Sequence, residues 1–198
     1  MKYFDWFGKS IVLASQSPRR SNLLRLIGLE FKVHPSDYHE INYTDQSPAQ
    51  TVLRHAREKA RSVARSYDDA WIIGADTIVV LDQVILGKPQ NREEAVQMLE
   101  MLSGKTHLVY TGYCIYNSSN HKNISNYETT RVSFRRLSGE LIGHYIDHYP
   151  PFDKAGSYGI QDFSAVFVEK LEGCFYNVVG FPLSSFYEFV LKNLRDCL

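Results

Sequence analysis

The feature that most constrains the fold is an apolar run over residues 71–81 that carries one carboxylate in its middle. The run is rich in isoleucine and valine, which predicts a buried β-strand. An ionised carboxylate that is buried without a partner costs several kcal/mol. We therefore expect Asp76 to lie at an opening of the sheet, paired with a cation, a metal or a hydrogen-bond donor. The small neighbours Gly74 and Ala75 favour a ligand that approaches the backbone, and a structural aspartate held by backbone N–H groups is the alternative.

The rest of the chain alternates between strand and helix patterns. A strand is predicted over residues 10–14, and Ser17 with Pro18 then begins a helix that Gly28 ends. The further predictions are a helix over residues 47–65, a helix opened by a capping box of Asn91 and Glu94, strands over 107–116 and 127–137 joined by a mobile loop at 117–126, a helix after Ser138, a hairpin of 165–171 with 174–179, and a helix from Pro182. This order predicts a mixed α/β sheet with flanking helices.

Length and composition favour one compact domain over residues 1–198, since 44% of the residues are hydrophobic. Lys plus Arg and Asp plus Glu are both 22, and this balance argues against a nucleic-acid partner. A local cationic cluster can still bind a small polyanion. No apolar run approaches the roughly 20 residues of a membrane helix, and no signal-peptide pattern is present. The three cysteines show no metal or redox spacing, so we expect a cytoplasmic protein that binds no membrane.

Residues 15–20 form a candidate phosphate cradle between the first strand and the first helix. A helix N-terminus offers unpaired backbone N–H groups and the positive end of the helix dipole. Arg19 and Arg20 add two planar guanidinium groups that match phosphate oxygens. On this segment alone, solvated arginines without a ligand are an equal alternative.

Three other polar side chains are weaker candidates. Lys59 lies among arginines that are as consistent with a solvated helix face, and Lys88 lies in a turn. Gln161 ends a turn with Gly156 and Gly159, and its amide can read the edge of a base. The seven histidines share no metal-ligand spacing, and no Ser, His and Asp arrangement indicates covalent catalysis.

Taken together, six segments stand in the order and spacing of Maf proteins, which the chain resembles from about residue 10 to 190. They are residues 15–24, 74–80, 86–89, 102–107, 153–161 and 176–182. The resemblance implies the fold of the inosine triphosphate pyrophosphatases, a long mixed sheet with two lobes around a cleft. It also implies a homodimer that hydrolyses a nucleoside triphosphate between the α- and β-phosphates with a divalent cation, Mg²⁺ or Mn²⁺.

The segment 153–161 resembles the branch that acts on dTTP and UTP, with modified pyrimidine nucleotides left open. The branch that acts on 7-methyl-GTP has a Cys-Ala-Gly-type segment there, and a glutamine where this chain has Thr77. One departure is Asp162, since glycine commonly follows the glutamine, and it puts the base preference in question. The alternatives are a pyrophosphatase for 7-methyl-GTP or damaged purine triphosphates, and a nucleotide-binding regulator of septum formation.

The resemblance also implies roles for individual residues. Asp76 matches the family's proton acceptor, and Glu40 matches an acidic position near the metal, so that both are candidate metal ligands. The substrate-binding positions that the resemblance implies are Ser15, Arg19, Arg20, Lys59, Thr77, Lys88 and Gln161. We expect direct attack by a water that Asp76 orients and deprotonates, or whose metal it holds. In this hypothesis Asp76 faces Arg19, Arg20 and Lys88 across one cleft.

Overall fold

The computed structural model describes residues 6–41 and 46–198. Within these ranges, seven strands form one sheet. The strands are β1 Ser10–Leu13, β2 Lys32–Val33, β3 Ala70–Leu81, β4 Val84–Leu86, β5 Thr106–Asn117, β6 Asn123–Phe134 and β7 Val168–Glu172. The α-helices are α1 Pro18–Leu26, α2 Pro48–Ala64, α3 Arg92–Leu102, α4 Gly139–His148, α5 Phe175–Val179 and α6 Leu183–Asn193. Short 3-10 helices cover Ala155–Ser157, Phe163–Phe167 and Leu194–Cys197.

The sheet is mixed, as the alternation of patterns predicts. Its strand order is β2-β1-β3-β5-β6-β7, and β4 pairs with β3. Strand β1 runs parallel to both β2 and β3, whereas β4 is antiparallel to β3 and β7 is antiparallel to β6. The predicted mixed α/β sheet with flanking helices is therefore confirmed. None of the described helices combines the length and the apolar character that a membrane span requires.

The chain divides into two compact units, in agreement with the two lobes that the resemblance implies. The first comprises Met1–Asp76, Thr111–Glu128 and Gly180–Leu198, of which residues 1–5 and 42–45 lie outside the described part. Its core packs apolar residues of α2 against β1, β3 and β5. The second comprises Thr77–Tyr110 and Thr129–Val179, and its core includes Leu99, Phe134 and Tyr145.

Two glycines bring α2 against the sheet backbone. A Cβ added at Gly74 would meet the carbonyl oxygen of Ala56 at 2.1 Å, and one added at Gly112 would meet the backbone of Val52 at 2.6 Å. Side chains do not tolerate such distances, so only glycine permits this packing. The expectation that Gly74 leaves room for a ligand is therefore wrong, because the backbone of α2 occupies that space.

Most of the predicted elements are confirmed, but the hairpin is wrong. Residues 168–172 form β7, yet its partner is β6, with Arg131 opposite Glu172. Residues 175–179 form α5 instead of a strand. The side-chain amide of Asn177 donates to the Val109 carbonyl at 2.9 Å and to Thr130 Oγ1 at 3.0 Å, which holds this short helix in the core of its unit.

Two local predictions also need correction. The mobile loop at 117–126 shrinks to a turn, because β5 ends at Asn117 and β6 begins at Asn123. The capping box at α3 is incomplete: Asn91 Oδ1 accepts from Glu94 N at 2.8 Å, but the Glu94 carboxylate accepts from Gln90 N. In a complete capping box, Glu94 would accept from the backbone N–H of Asn91, so this bond is shifted by one residue. The helix still begins as predicted.

A buried histidine in the second unit makes stability depend on pH. His107 is 1% exposed, its Nε2 lies 2.8 Å from the Tyr158 hydroxyl, and burial lowers its pKa to about 4. The unfolded chain, with a pKa of about 6.5, takes up the proton first as pH falls. The contribution of neutral His107 to stability is therefore present above about pH 6.5 and is lost as the pH falls from about 6.5 to 4.

We expect the free energy of unfolding to fall by about 2 kcal/mol from this group between pH 7.5 and 5. His107→Gln keeps an amide that can bond to Tyr158 but does not titrate, so this part of the pH dependence should vanish in urea unfolding. His121→Gln, at an exposed histidine, is the matched control and should keep the wild-type slope. An unchanged slope in His107→Gln would contradict the assignment.

Candidate functional site

The first part of the site is the turn between β1 and α1. Ser17 caps α1, with its Oγ accepting from Arg20 N at 3.5 Å, and Pro18 opens the helix. Ser15 Oγ accepts from Ser17 N at 3.2 Å and from Arg20 Nη1 at 3.3 Å. The guanidinium of Arg20 also donates from Nε to the carbonyl of Gly180 at 3.0 Å. Arg20 is thus held over the start of its own helix, where an anion would also bind.

The second part is Asp76 on β3 and the face of α2 that covers it. His55 and Lys59 are four residues apart on α2, so their side chains lie on one face of the helix. Lys59 Nζ donates to Asp76 Oδ1 at 2.6 Å, and His55 Nδ1 lies 3.1 Å from Asp76 Oδ2. The Asp76 side chain is only 5% exposed. The predicted cation partner is therefore present, and it comes from α2.

The charge state of Asp76 follows from these partners. Burial by itself would raise the pKa of Asp76, but the charge of Lys59, the hydrogen bonds from His55 and Lys59, and the charge of Arg20 outweigh it. They hold the pKa of this carboxyl well below its ordinary value. Asp76 is consequently ionised at neutral pH and can only accept hydrogen bonds.

The carboxylate of Glu40 completes the cluster. Lys59 Nζ lies 2.6 Å from Glu40 Oε1, so that one ammonium bridges the two carboxylates. The Glu40 side chain is 43% exposed, in contrast to Asp76, which gives the cluster an open side. The predicted neighbourhood of Glu40 and Asp76 is observed, although binding of a metal there stays a prediction.

His55 is a site residue that the sequence analysis missed. Its ring is 1% exposed, and its Nε2 lies 3.1 Å from the Ile41 carbonyl. Burial would lower the pKa of His55, but the hydrogen bond and charge of Asp76, with the Ile41 carbonyl and Glu40, raise it above its ordinary value. The sequence signal for this residue was its four-residue spacing from Lys59. A search for metal-ligand spacing among the histidines alone could not find it.

These residues fit a divalent cation. Glu40, His55 and Asp76 each offer one ligand atom, and the three atoms lie within 4.8 Å of one another. Two ligands bonded to one ion at roughly 2.1 Å are at most about 4.2 Å apart, so the ion fits once Lys59 Nζ, which lies 2.6 Å from both carboxylates, moves aside. Two carboxylates and an imidazole are also ligand types that divalent metals accept.

The remaining arginines bear on the same cluster. Loss of hydration lowers the pKa of Arg20, and the charge of the neighbouring Arg19 adds to this, while Asp76 and Glu40 act in the opposite direction. Arg20 is therefore within electrostatic reach of both carboxylates. Arg19 is half-buried in the first turn of α1.

Thr77, Lys88 and Gln161 belong to the second unit. Lys88 is exposed in the turn after β4, and Gln161 is exposed after the 3-10 helix Ala155–Ser157. The carbonyl of Gly87 accepts from Gly156 N at 2.9 Å, which ties the two predicted binding segments together. The predicted grouping of Asp76 with Lys88 stays a prediction.

Asp162 has a clear local role. Its Oδ1 accepts from Ser164 N at 2.9 Å and from Ser164 Oγ at 2.7 Å, which caps the 3-10 helix Phe163–Phe167. Its φ of −115° needs no glycine. The departure from the family pattern therefore leaves this turn unstrained.

The chain is similar to proteins of known family. A family model described as Maf-like protein matches residues 10–193. A dTTP/UTP pyrophosphatase of Thermotoga maritima is 48% identical, covering 92% of this chain and 89% of that protein. Proteins of the same name from Caldicellulosiruptor saccharolyticus and Bacillus cereus are 47% and 46% identical, covering 88% and 89% of this chain and 90% and 91% of their own lengths.

Two solved structures are also similar. The Staphylococcus aureus Ham1 protein is 14% identical with a TM-score of 0.45, covering 64% of this chain and 72% of that one. A nucleoside-triphosphatase, or dITP/XTP pyrophosphatase, of Mycobacterium abscessus is 11% identical with a TM-score of 0.44, covering 96% and 98%. The match of the family model and the identity to the bacterial relatives together give the conclusion that the chain belongs to the family of Maf-like proteins.

Proposed function

We propose that this chain, as a single pyrophosphatase domain, hydrolyses dTTP and UTP to the monophosphate and pyrophosphate, a house-cleaning activity. The observation that carries the proposal is a buried, ionised Asp76 beside the cationic groups of Lys59 and Arg20. A buried carboxylate beside cationic groups suits a reaction in which water attacks a polyphosphate. Relatives that are 44–48% identical bear the name dTTP/UTP pyrophosphatase, which supports the pyrimidine substrate.

The reaction places a water in line with the α-phosphorus. As the water oxygen bonds to that phosphorus, the bond to the bridging oxygen breaks and pyrophosphate leaves with the electron pair. Asp76 accepts a hydrogen bond from the water, orients it, and takes up the proton as the new bond forms. Because the pKa of Asp76 is held low, orientation is the larger part of its role, and the proton passes on to solvent.

Cationic groups neutralise the charge that develops on the phosphates. Arg20, with Ser15 and the N-terminus of α1, holds phosphate oxygens, since its guanidinium is already fixed by Ser15 and Gly180. Lys59 contributes an ammonium, and Arg19 and Lys88 add further positive charge.

Glu40 and Asp76 would hold a divalent cation, which we propose is Mg²⁺ or Mn²⁺. When bound, such an ion neutralises phosphate charge and lowers the pKa of a coordinated water. Thr77 and Gln161 recognise the base in this proposal, because both offer donors and acceptors.

We further propose a cytoplasmic homodimer without a nucleic-acid partner. The dimer follows from the resemblance to Maf proteins and is checked by light scattering. The cysteines Cys114, Cys174 and Cys197 are free thiols, which suits a reducing compartment. The balanced charge, with 22 basic and 22 acidic residues, speaks against nucleic acid.

A panel of nucleotides tests the proposed reaction. We expect dTTP and UTP to release pyrophosphate at least about tenfold faster than dCTP, ITP and 7-methyl-GTP, because a base-reading pocket discriminates through unpaired polar groups. Released pyrophosphate is measured with Mg²⁺ and with Mn²⁺. Preference for 7-methyl-GTP or a damaged purine would overturn the substrate, and nucleotide binding without turnover with either ion would favour a regulatory protein.

A further inference from the structure

The mechanism above leaves one member of the cluster without a role, the imidazole of His55. The ring projects from α2 into the same buried position as Asp76, and neither of its nitrogens faces an apolar group. Its Nδ1 lies 3.1 Å from Asp76 Oδ2 and its Nε2 lies 3.1 Å from the Ile41 carbonyl, which fixes the ring beside the carboxylate. The ring therefore belongs to the polar cluster in which the cation would bind.

The donor set decides which cations the cluster prefers. Mg²⁺ takes oxygen ligands almost exclusively and keeps several of its waters. A nitrogen ligand raises the affinity of a site for transition ions, whose bonds to imidazole are stronger. With Glu40 and Asp76 alone, the site would offer only oxygen ligands, as an ordinary Mg²⁺ site does. His55 adds a nitrogen, so the ligand set contains both oxygen and nitrogen.

We propose that His55 supplies a nitrogen ligand to the divalent cation that Glu40 and Asp76 hold, and that this mixed set selects Mn²⁺ over Mg²⁺. The inference rests on the proposed function, which requires a cation at this cluster, and deepens it by naming the third ligand. Its support is the approach of the three ligand atoms to within 4.8 Å of one another, and on binding the ion would replace the proton that the His55 ring shares with Asp76. These atoms come from α2, from β3 and from the segment that precedes the undescribed residues 42–45.

Pulsed electron paramagnetic resonance on the Mn²⁺-loaded protein tests this without turnover. A directly bonded imidazole gives ¹⁴N modulation of the Mn²⁺ electron spin echo, and labelling the histidines with ¹⁵N must change its frequencies. We expect this coupling in the wild-type protein and its loss in His55→Leu. The dissociation constant for Mn²⁺ should rise at least tenfold in this variant, since removing even an outer partner of a ligand changes affinity by about 10–100-fold. The constant for Mg²⁺ should change less than about threefold.

His39→Leu is the matched control, because His39 is exposed and adjacent to Glu40. It should keep both the ¹⁴N coupling and the Mn²⁺ affinity. His55→Gln is a second variant whose amide can still donate to Asp76, which protects folding. Should neither His55 variant fold, the wild-type echo modulation with and without ¹⁵N-labelled histidines gives the decision, because the other two proposed ligands are carboxylates.

The outcomes separate this inference from the proposed function. Loss of the coupling in a folded His55 variant, or a wild-type coupling whose frequencies change when the histidines are labelled with ¹⁵N, supports the inference. No histidine coupling in the wild-type protein, or coupling that persists without His55, overturns it. Pyrophosphate release from dTTP by wild-type protein that lacks the coupling overturns this inference alone, and coupling without any release overturns the proposed function alone.

Discussion

Asp76→Asn is expected to lower kcat for dTTP at least about a thousandfold while nucleotide binding stays within a few-fold of the wild type. The amide keeps the size of the side chain but removes the negative charge that orients water and takes up its proton. Binding of the triphosphate depends mainly on Arg20, Lys59 and the N-terminus of α1, which the substitution leaves in place. Steady-state release of pyrophosphate gives kcat, and calorimetry with a non-hydrolysable dTTP analogue gives the affinity.

Asp69→Asn is the matched control for this substitution. Asp69 pairs with Lys9, and its own side chain is 61% exposed and lies outside the cluster, so activity should be unchanged. Thermal unfolding of both variants separates loss of chemistry from loss of structure. An Asp76→Asn enzyme that keeps a tenth of wild-type activity would remove Asp76 from the chemistry.

The partner of Asp76 shows where prediction from sequence stops. The apolar run around Asp76 requires a partner for the carboxylate, and this followed from the residues alone. The identity of this partner could not be predicted, since three arginines lie near Lys59 on the same helix. In the fold the Lys59 side chain is 12% exposed, whereas Arg57 and Arg61 are 50% and 55% exposed. The orientation of α2 on the sheet, fixed by the packing at Gly74, makes this distinction.

The turn before α1 was predictable because its features are local. A strand, a capping Ser17 and Pro18 lie within ten residues, and short-range rules cover them. The hydrogen bond that anchors Arg20 was not predictable, because its acceptor, the carbonyl of Gly180, is 160 residues away in sequence. The pairing of β7 with β6 instead of residues 174–179 has the same cause, since a strand's partner is chosen by tertiary packing.

Lys59→Met is expected to reduce both stability and activity. Without the ammonium, Asp76 stays buried beside Glu40 with only His55 and the charge of Arg20 to balance it. Breaking such a buried pair should lower the free energy of unfolding of the metal-free protein by about 3 kcal/mol. The kcat/KM for dTTP should fall about 100- to 1000-fold, because one cationic group that faces the developing phosphate charge is gone.

The same variant links Lys59 to the cation site. Mn²⁺ should stabilise Lys59→Met more than the wild type, because in the wild type the ion competes with an ammonium that already lies 2.6 Å from both carboxylates. Urea unfolding with and without Mn²⁺ measures this difference. Arg61→Met is the matched control, since its ion pair with Glu58 is exposed and should contribute less than about 1 kcal/mol. Equal stabilisation of Lys59→Met and wild type by Mn²⁺ would mean that the ion binds elsewhere. It would contradict the proposal that Glu40 and Asp76 together hold the ion.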